Sequence, residues 1–111
     1  ERIEENPDTQ LIVSTGATDR YIAFNCQKDI FKDKRVRQAL NYATDKESIR
    51  VVCYGENTSE AMDSVVPSTL PGHISSLKQY DYDIEKAKEL LKEAGMENGF
   101  EVEFVSCQFH Q

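Results

Sequence analysis

Three cysteines and two histidines are the side chains of this sequence that most often bind metals or act as nucleophiles. They are Cys26, Cys53, Cys107, His73 and His110. A structural zinc site needs about four ligands, usually in close pairs such as C-x-x-C, and no such pair occurs here. An odd number of cysteines gives no disulfide framework either. We predict no metal site, and we expect Cys26 and Cys107 to lie in strands as small apolar side chains.

Paired carboxylates are the other candidate for chemistry. Glu101 and Glu103 are two residues apart, a spacing that on a strand would put both on one face for cation binding or acid–base work. Alternating acids on a strand are more commonly its solvated side. The sequence has no glycine-rich phosphate loop and no nucleophile elbow. We predict a protein that is not an enzyme, with no catalytic residues and no cofactor.

Residues 28–50 concentrate the positive charge of an acidic chain. They include seven basic and four acidic residues, a local charge of +3, whereas the 111-residue chain has a formal net charge of −7. An acidic protein repels polyanions unless the attraction of a local basic patch exceeds the repulsion by the rest of the chain. Arg35 and Arg37 could contact nucleic acid or another partner, or form the solvated and ion-paired face of a helix. We favour the helix face and predict no nucleic-acid binding.

Three β-prone runs predict strands at residues 11–14, 21–25 and 100–106. The first two are separated by TGATDR, whose residue types suit a turn and predict an antiparallel pair. The third run alternates apolar and acidic residues, which is typical of a half-buried strand.

Helical periodicity predicts three helices. Asp33 is a good N-cap for the first, over residues 34–43. T-x-x-E at residues 44–47 predicts a capping box that starts the second, which ends at Gly55. The third starts at Asp83 and ends at Gly95. The residues expected to face inward are Val36, Ala39, Leu40 and Ala43 in the first helix, Ile49, Val52 and Cys53 in the second, and Ile84, Ala87, Leu90, Leu91 and Ala94 in the third.

Residues 56–81 have no periodicity and contain Pro67, Pro71 and Gly72, which predicts a long loop that crosses a surface or lines a cleft. A chain of this length can build one hydrophobic core, so we predict a single domain over residues 1–111. The order strand, strand, helix, helix, loop, helix, strand predicts an α/β fold. We expect a small mixed sheet of about three strands packed with three helices.

Several motifs occur in an order that is more specific than any one of them. They are YIAFNCQKDIFKDKRVRQALNYATDKESIRVVCYG at 21–55, Ala61 through VVP at 65–67, and YDYDIEKAKELLKEAG at 80–95. This order resembles the family 5 solute-binding proteins of ABC importers, the dipeptide-, oligopeptide- and nickel-binding group. The resemblance departs at Ile30, where the family often has Pro, and at Thr44, where it commonly has an aliphatic residue. Family members are several times longer than this chain.

The resemblance implies a fragment of the second, C-terminal lobe of a periplasmic-binding-protein-like molecule. In such proteins two lobes close around a small peptide or similar solute and deliver it to the membrane subunits of an ABC permease. The partners implied are the solute, the permease and the remaining lobe. The location implied is periplasmic or extracellular, with the full-length protein anchored as a lipoprotein.

The resemblance also indicates where ligand contacts should lie. The run from Tyr21 to Cys26 corresponds to the family's passage from the first lobe toward the second, so we expect Tyr21, Phe24 and Asn25 near the cleft. Asn25 is the best candidate because its amide both donates and accepts hydrogen bonds. The alternatives are that Asn25 caps the turn after the strand and that Tyr21 and Phe24 pack in the core.

A protein with the same fold could have a different function. A domain of this type can be fused to a DNA-binding module and sense a small molecule in the cytoplasm. Three cysteines without evident partners fit a reducing compartment somewhat better than an oxidising one.

Overall fold

The computed structural model divides the chain into two compact units. The first comprises Glu1–Ala23 and Asp45–Asp81, and the second comprises Phe24–Thr44 and Tyr82–Gln111. One domain over residues 1–111 stays a prediction. The residues that the structure describes are 3, 5–14, 16–56, 58–62, 64–75, 77 and 80–106.

The second unit contains three helices: α1 (Asp29–Lys32), α2 (Lys34–Ala43) and α4 (Ile84–Glu93); α3 (Lys46–Tyr54) belongs to the first unit. Helix α2 begins as the sequence predicts, because the Asp33 carboxylate accepts a hydrogen bond from the Arg35 amide at 2.8 Å. At its other end the Thr44 hydroxyl donates to the Leu40 carbonyl at 2.7 Å.

Helix α4 also has the predicted ends. The Asp83 carboxylate accepts from the Lys86 amide at 2.9 Å. After the helix, Gly95 has a φ of 74°, and the amides of Gly95 and Met96 donate to the carbonyls of Lys92 and Leu91 at 3.0 and 2.8 Å. This pair of bonds is a Schellman motif, which requires the left-handed backbone that glycine adopts without a Cβ clash.

Helices α2 and α4 pack against each other in the second unit. Among the described residues, the buried apolar positions are Val36, Ala39 and Ala87. Two polar contacts complete the pairing. The Asp83 amide donates to the Tyr42 carbonyl at 2.9 Å, and Arg35 Nη1 donates to the Glu93 carbonyl at 2.7 Å.

Helix α3 starts one residue later than the capping box predicts. Asp45, not Thr44, is its N-cap, accepting from the Ser48 amide at 3.0 Å and from the Ser48 hydroxyl at 2.7 Å. An ionised carboxylate is a strong acceptor at a helix N-terminus, while the Thr44 hydroxyl is bonded to the preceding helix. The predicted stop is correct, since Gly55 follows the helix with a φ of 84°.

The inward face predicted for α3 is wrong. Ile49 is half exposed, Val52 is 84% exposed, and Cys53 is exposed. Periodicity indicates which side chains share a face, but a face is buried only where another surface covers it. In the part of the chain that the structure describes, this face of α3 is largely uncovered.

The predicted mixed sheet of about three strands is also wrong. The described residues form four helices and no strand. The β-prone runs form no strand, and their apolar side chains are largely exposed, as Ile12 at 77% and Phe104 at 69% illustrate. A strand needs hydrogen bonds from a neighbouring strand, so local alternation alone cannot create a sheet. Glu101 and Glu103 are exposed, as is every other residue from 101 to 106.

The described residues between 56 and 81 contain no helix or strand. Short turns run through this loop, including bonds from Leu70 N to Pro67 O at 3.0 Å and from His73 N to Leu70 O at 3.3 Å. Within the described chain, every helix is too short or too polar to cross a membrane.

Candidate functional site

Asn25 forms the turn that leads into α1. Its Oδ1 accepts a hydrogen bond from the Gln27 amide at 3.0 Å, and its carbonyl accepts from the Lys28 amide at 3.0 Å. The side chain therefore has the turn-capping role that was the alternative to ligand binding. Asn25 is exposed, so the turn also presents it at the surface of the second unit. Ligand binding by Asn25 stays a prediction.

Phe24 packs against α1. Its ring lies 5.1 Å from the ring of Phe31, centroid to centroid, with an angle of 34° between the planes. Such tilted aromatic pairs stabilise beyond the area that they bury. Phe24 is half-buried, so packing occupies part of the ring and leaves part accessible beside Asn25.

Tyr21 belongs to the first unit. Its side chain is 79% exposed, so it does not pack in a core. The preceding residue, Arg20, places its guanidinium carbon 5.9 Å from the centroid of the Tyr54 ring, a cation–π contact within the first unit. Of the three predicted residues, Phe24 and Asn25 belong to the second unit and Tyr21 to the first.

The two arginines of the basic stretch are bonded within the second unit. Arg35 Nε lies 3.1 Å from both carboxylate oxygens of Asp33, and this hydrogen-bonded ion pair lowers the pKa of Asp33 to about 2. Arg37 Nη1 donates to the carbonyls of Phe31 and Lys32. These contacts agree with a structural, ion-paired helix face.

Arg50 connects α3 to the start of the long loop, which sequence analysis did not anticipate. Its side chain is 15% exposed and pairs with Glu47, Nε to Oε2 at 2.9 Å. Nη1 donates to the carbonyls of Gly55, Glu56 and Ser59 at 3.4, 2.8 and 2.9 Å. The pairing with Arg50 lowers the pKa of Glu47. The i, i+3 spacing of Glu47 and Arg50 is a sequence signal for the ion pair, but the three carbonyl contacts depend on the path of the loop.

The long loop lines a cleft of about 240 Å³ in the first unit. Two contacts shape its wall: His73 Nδ1 bonds the Val66 carbonyl at 2.8 Å, and Ser64 Oγ accepts from the Val66 amide at 3.2 Å. Its lining consists of Glu60, Ala61, Met62, Ser64, Val66, Pro67, Ser68 and His73. Proline and glycine predict the loop, but they do not reveal the cleft because it depends on contacts between residues distant along the loop.

No metal centre forms in the described residues, because no three His, Cys, Asp or Glu side chains come close enough to hold an ion. Cys26 and Cys53 are free and exposed. The prediction that Cys26 lies in a strand as a small apolar side chain is wrong, because Cys26 lies in a turn. Its Sγ is 3.6 Å from the Phe24 carbonyl oxygen. Cys107 lies outside the described residues.

Comparison with protein families decides what kind of chain this is. The family described as "Bacterial extracellular solute-binding proteins, family 5 Middle" matches residues 1–109. The chain belongs to this family. The resemblance carried by the motifs between residues 20 and 95 is thus confirmed.

Family 5 relatives with different named ligands match almost the whole chain. The heme-binding protein A of Haemophilus influenzae is 41% identical over 93% of this chain. The dipeptide-binding protein of Escherichia coli is 36% identical over 92%, and the glutathione-binding protein GsiB of Shigella flexneri is 36% identical over 97%. The chain spans 19%, 19% and 21% of the lengths of these relatives.

A solved family structure is similar as well. The periplasmic binding protein DppA of Helicobacter pylori, in complex with the peptide STSA, is 40% identical, with a TM-score of 0.63. The match covers 68% of this chain and 14% of DppA.

Proposed function

We propose that the full-length protein is the substrate-binding component of a peptide ABC importer. The observation that carries this proposal is the family match over residues 1–109, together with 40% identity to a periplasmic protein solved with a peptide. The function is solute capture, not catalysis. Closure of two lobes around the solute would stabilise the closed state by contacts that exist only there, and this chain would be a fragment of the C-terminal lobe.

The other partners follow from the same proposal. The closed protein delivers its peptide to the membrane subunits of an ABC permease, from the periplasm or the cell exterior. A lipid anchor would hold it at the membrane. The gene's upstream sequence tests this, since a signal peptide followed by a lipid-modified cysteine is expected.

A ligand-sensing domain of a transcription regulator is the second candidate. It is favoured by the free, exposed thiols of Cys26 and Cys53, which persist most easily in a reducing compartment. A helix-turn-helix segment elsewhere in the full-length protein would decide for this candidate and against the importer.

Ligand identification on the full-length protein tests the main proposal. Native mass spectrometry of purified protein mixed with di- to tetrapeptides, glutathione and heme compares the solutes named for the relatives under one condition. We expect a peptide to be retained. Retention of heme alone, confirmed by calorimetry, would contradict peptide transport while leaving solute binding intact.

We propose that Tyr21, Phe24 and Asn25 contact the ligand, and we choose Asn25 for the test. Asn25→Asp keeps a side-chain oxygen that can accept a hydrogen bond from the Gln27 amide. Asn25→Ala removes both this hydrogen bond and the side-chain amide group. If the amide donors bind the ligand, Asn25→Asp in the full-length protein weakens peptide binding roughly ten-fold with little change in melting temperature. Unchanged affinity in Asn25→Asp, with a lower melting temperature in Asn25→Ala, would assign Asn25 to the turn alone.

A further inference from the structure

Helix α1 depends on contacts from outside itself. It is a single turn of four residues, Asp29–Lys32, and it follows the turn that Asn25 forms. One helical turn gains few hydrogen bonds for the backbone freedom that it loses, so it is not stable alone in water. Its N-cap residue, Lys28, makes no side-chain capping bond, and none of the four helical residues is buried. Other parts of the second unit must therefore hold α1 in place.

Arg37 on α2 supplies such contacts. Its Nη1 donates to the carbonyl of Phe31 and, at 3.0 Å, to the carbonyl of Lys32. The last carbonyls of a helix have no partner within that helix, so Arg37 binds acceptors that α1 cannot satisfy by itself. Arg37 is half-buried, and its helix packs on α4. These two bonds therefore tie α1 to the packed helices of the second unit.

Phe31 connects this tie to two of the proposed ligand contacts. Its ring lies 5.1 Å from the ring of Phe24, centroid to centroid. Its amide donates to the Lys28 carbonyl at 2.9 Å, and the Lys28 amide donates to the Asn25 carbonyl at 3.0 Å. A continuous series of contacts thus leads from Arg37 through Phe31 to Phe24 and Asn25, all within the second unit.

We infer that Arg37 is a positioning residue for ligand contacts at Phe24 and Asn25. The inference rests on the proposed peptide-binding function and adds a residue to its site. Arg37 touches no solute in this role. It holds α1, and through α1 it keeps the ring of Phe24 and the amide of Asn25 in one orientation. Groups that are ordered before the solute arrives avoid the entropy cost of ordering on binding.

Two matched variants separate positioning from stability. Arg37→Met keeps a long unbranched side chain and removes the donors to α1. Arg35→Met makes the same change two residues away, where the guanidinium binds Asp33 and the Glu93 carbonyl. Calorimetry on the full-length protein uses di-, tri- and tetra-alanine, at a temperature where every variant is folded. We expect Arg37→Met to bind roughly three- to ten-fold more weakly, because a less populated competent site lowers the apparent affinity in proportion. Arg35→Met should lower the melting temperature and bind within about two-fold of wild type.

Hydrogen exchange of the full-length protein, followed by mass spectrometry, reports on the turn directly. Arg37→Met should accelerate exchange in residues 27–31, and Arg35→Met should not. Arg37→Lys keeps a charged donor and should recover part of the lost affinity. Adding Arg37→Met to Asn25→Ala should weaken binding less than Arg37→Met does alone, since both changes act on one turn.

The outcomes distinguish the inference from the function on which it rests. Unchanged exchange in residues 27–31 of Arg37→Met, unchanged peptide affinity in that variant, or equal affinity losses in Arg35→Met and Arg37→Met would each overturn the positioning role while peptide binding stands. If the wild-type protein binds none of the alanine peptides, the proposed function is overturned and the positioning role with it.

Discussion

At the scale of single residues, the arginine side chains of this chain mainly bind backbone carbonyls and neighbouring carboxylates within the protein. Arg35 holds the Asp33 cap and the Glu93 carbonyl, and Arg50 holds three carbonyls beyond α3. A guanidinium carries five donors in a fixed fork, so one side chain can bind several acceptors. Arg35 in the basic stretch of residues 28–50, and Arg50 at its end, thus bind groups within the protein.

The depressed pKa of Asp33 makes part of the stability depend on pH. Its folded pKa is about 2, against an ordinary 3.8, so the unfolded chain binds the proton more readily. The contribution of ionised Asp33 to the free energy of unfolding is complete above about pH 4, and it is lost as the pH falls through about 2. Asn also caps helices, so Asp33→Asn removes the charge and keeps a cap.

We therefore expect the melting temperature of Asp33→Asn to lie below wild type at pH 5 and to converge on it near pH 2, measured by circular dichroism. Asp29→Asn is the control, because Asp29 is 95% exposed and has a single ion pair with Lys32, and its difference from wild type should be smaller. Parallel curves for wild type and Asp33→Asn between pH 5 and pH 2 would contradict the role of the ion pair.

At the scale of elements, the same residue type has different consequences on α2 and α3. Val36 is completely buried against α4, whereas Val52 on α3 is 84% exposed. Helix α2 has the predicted extent and α3 starts one residue later than predicted, so periodicity located both helices. The difference between them is whether a neighbouring helix covers the apolar face.

Truncating each valine to alanine measures that difference. Both substitutions gain the same helix propensity, so unequal effects report burial. We expect Val36→Ala to lower the free energy of unfolding by about 2 kcal/mol through lost burial and a cavity, and Val52→Ala to change it by less than about 0.5 kcal/mol. Urea denaturation of the two variants provides the measurement. Equal losses would show that the face of α3 is covered in solution.

The end of α4 allows a second comparison, between two glycines. Gly95 has a φ of 74° and no heavy atom near the position of an added Cβ, so Gly95→Ala should cost about 1 kcal/mol from the backbone alone. Gly16 is outside the left-handed region, and among the described residues the atom nearest to an added Cβ is the Thr18 amide nitrogen at 4.0 Å, so Gly16→Ala should be neutral or slightly stabilising. Thermal melts of both variants measure these effects on stability. An unchanged melting temperature for Gly95→Ala would contradict the Schellman motif at the end of α4.

At the scale of the whole molecule, burial is sparse in the described residues. The buried apolar side chains there are Val36, Ala39 and Ala87, and all three lie in the second unit. Stability against local opening follows buried apolar contacts and protected hydrogen bonds. We expect the helices α2 and α4 to be the most stable part of this chain.

Hydrogen exchange of the backbone amides tests this expectation. Amides in α2 and α4 should exchange most slowly, and those of residues 11–14, 21–25 and 100–106 should exchange at nearly unprotected rates because these runs have no strand partner. Exchange is followed by nuclear magnetic resonance on the 111-residue chain. Strong protection in residues 100–106 would mean that they are paired in solution.

Local chemistry was readable from the sequence alone. The Asp33 cap, the glycine stops after α3 and α4 and the approximate extent of three helices depend on residues close together in sequence. The order of several such local motifs identified the family of the chain. Tertiary structure decided the rest: which apolar faces are covered, whether β-prone runs find partners, and how the long loop forms a cleft. The physical reason is that hydrogen bonds within a helix join residues a few positions apart, whereas burial and strand pairing require surfaces that local sequence does not specify.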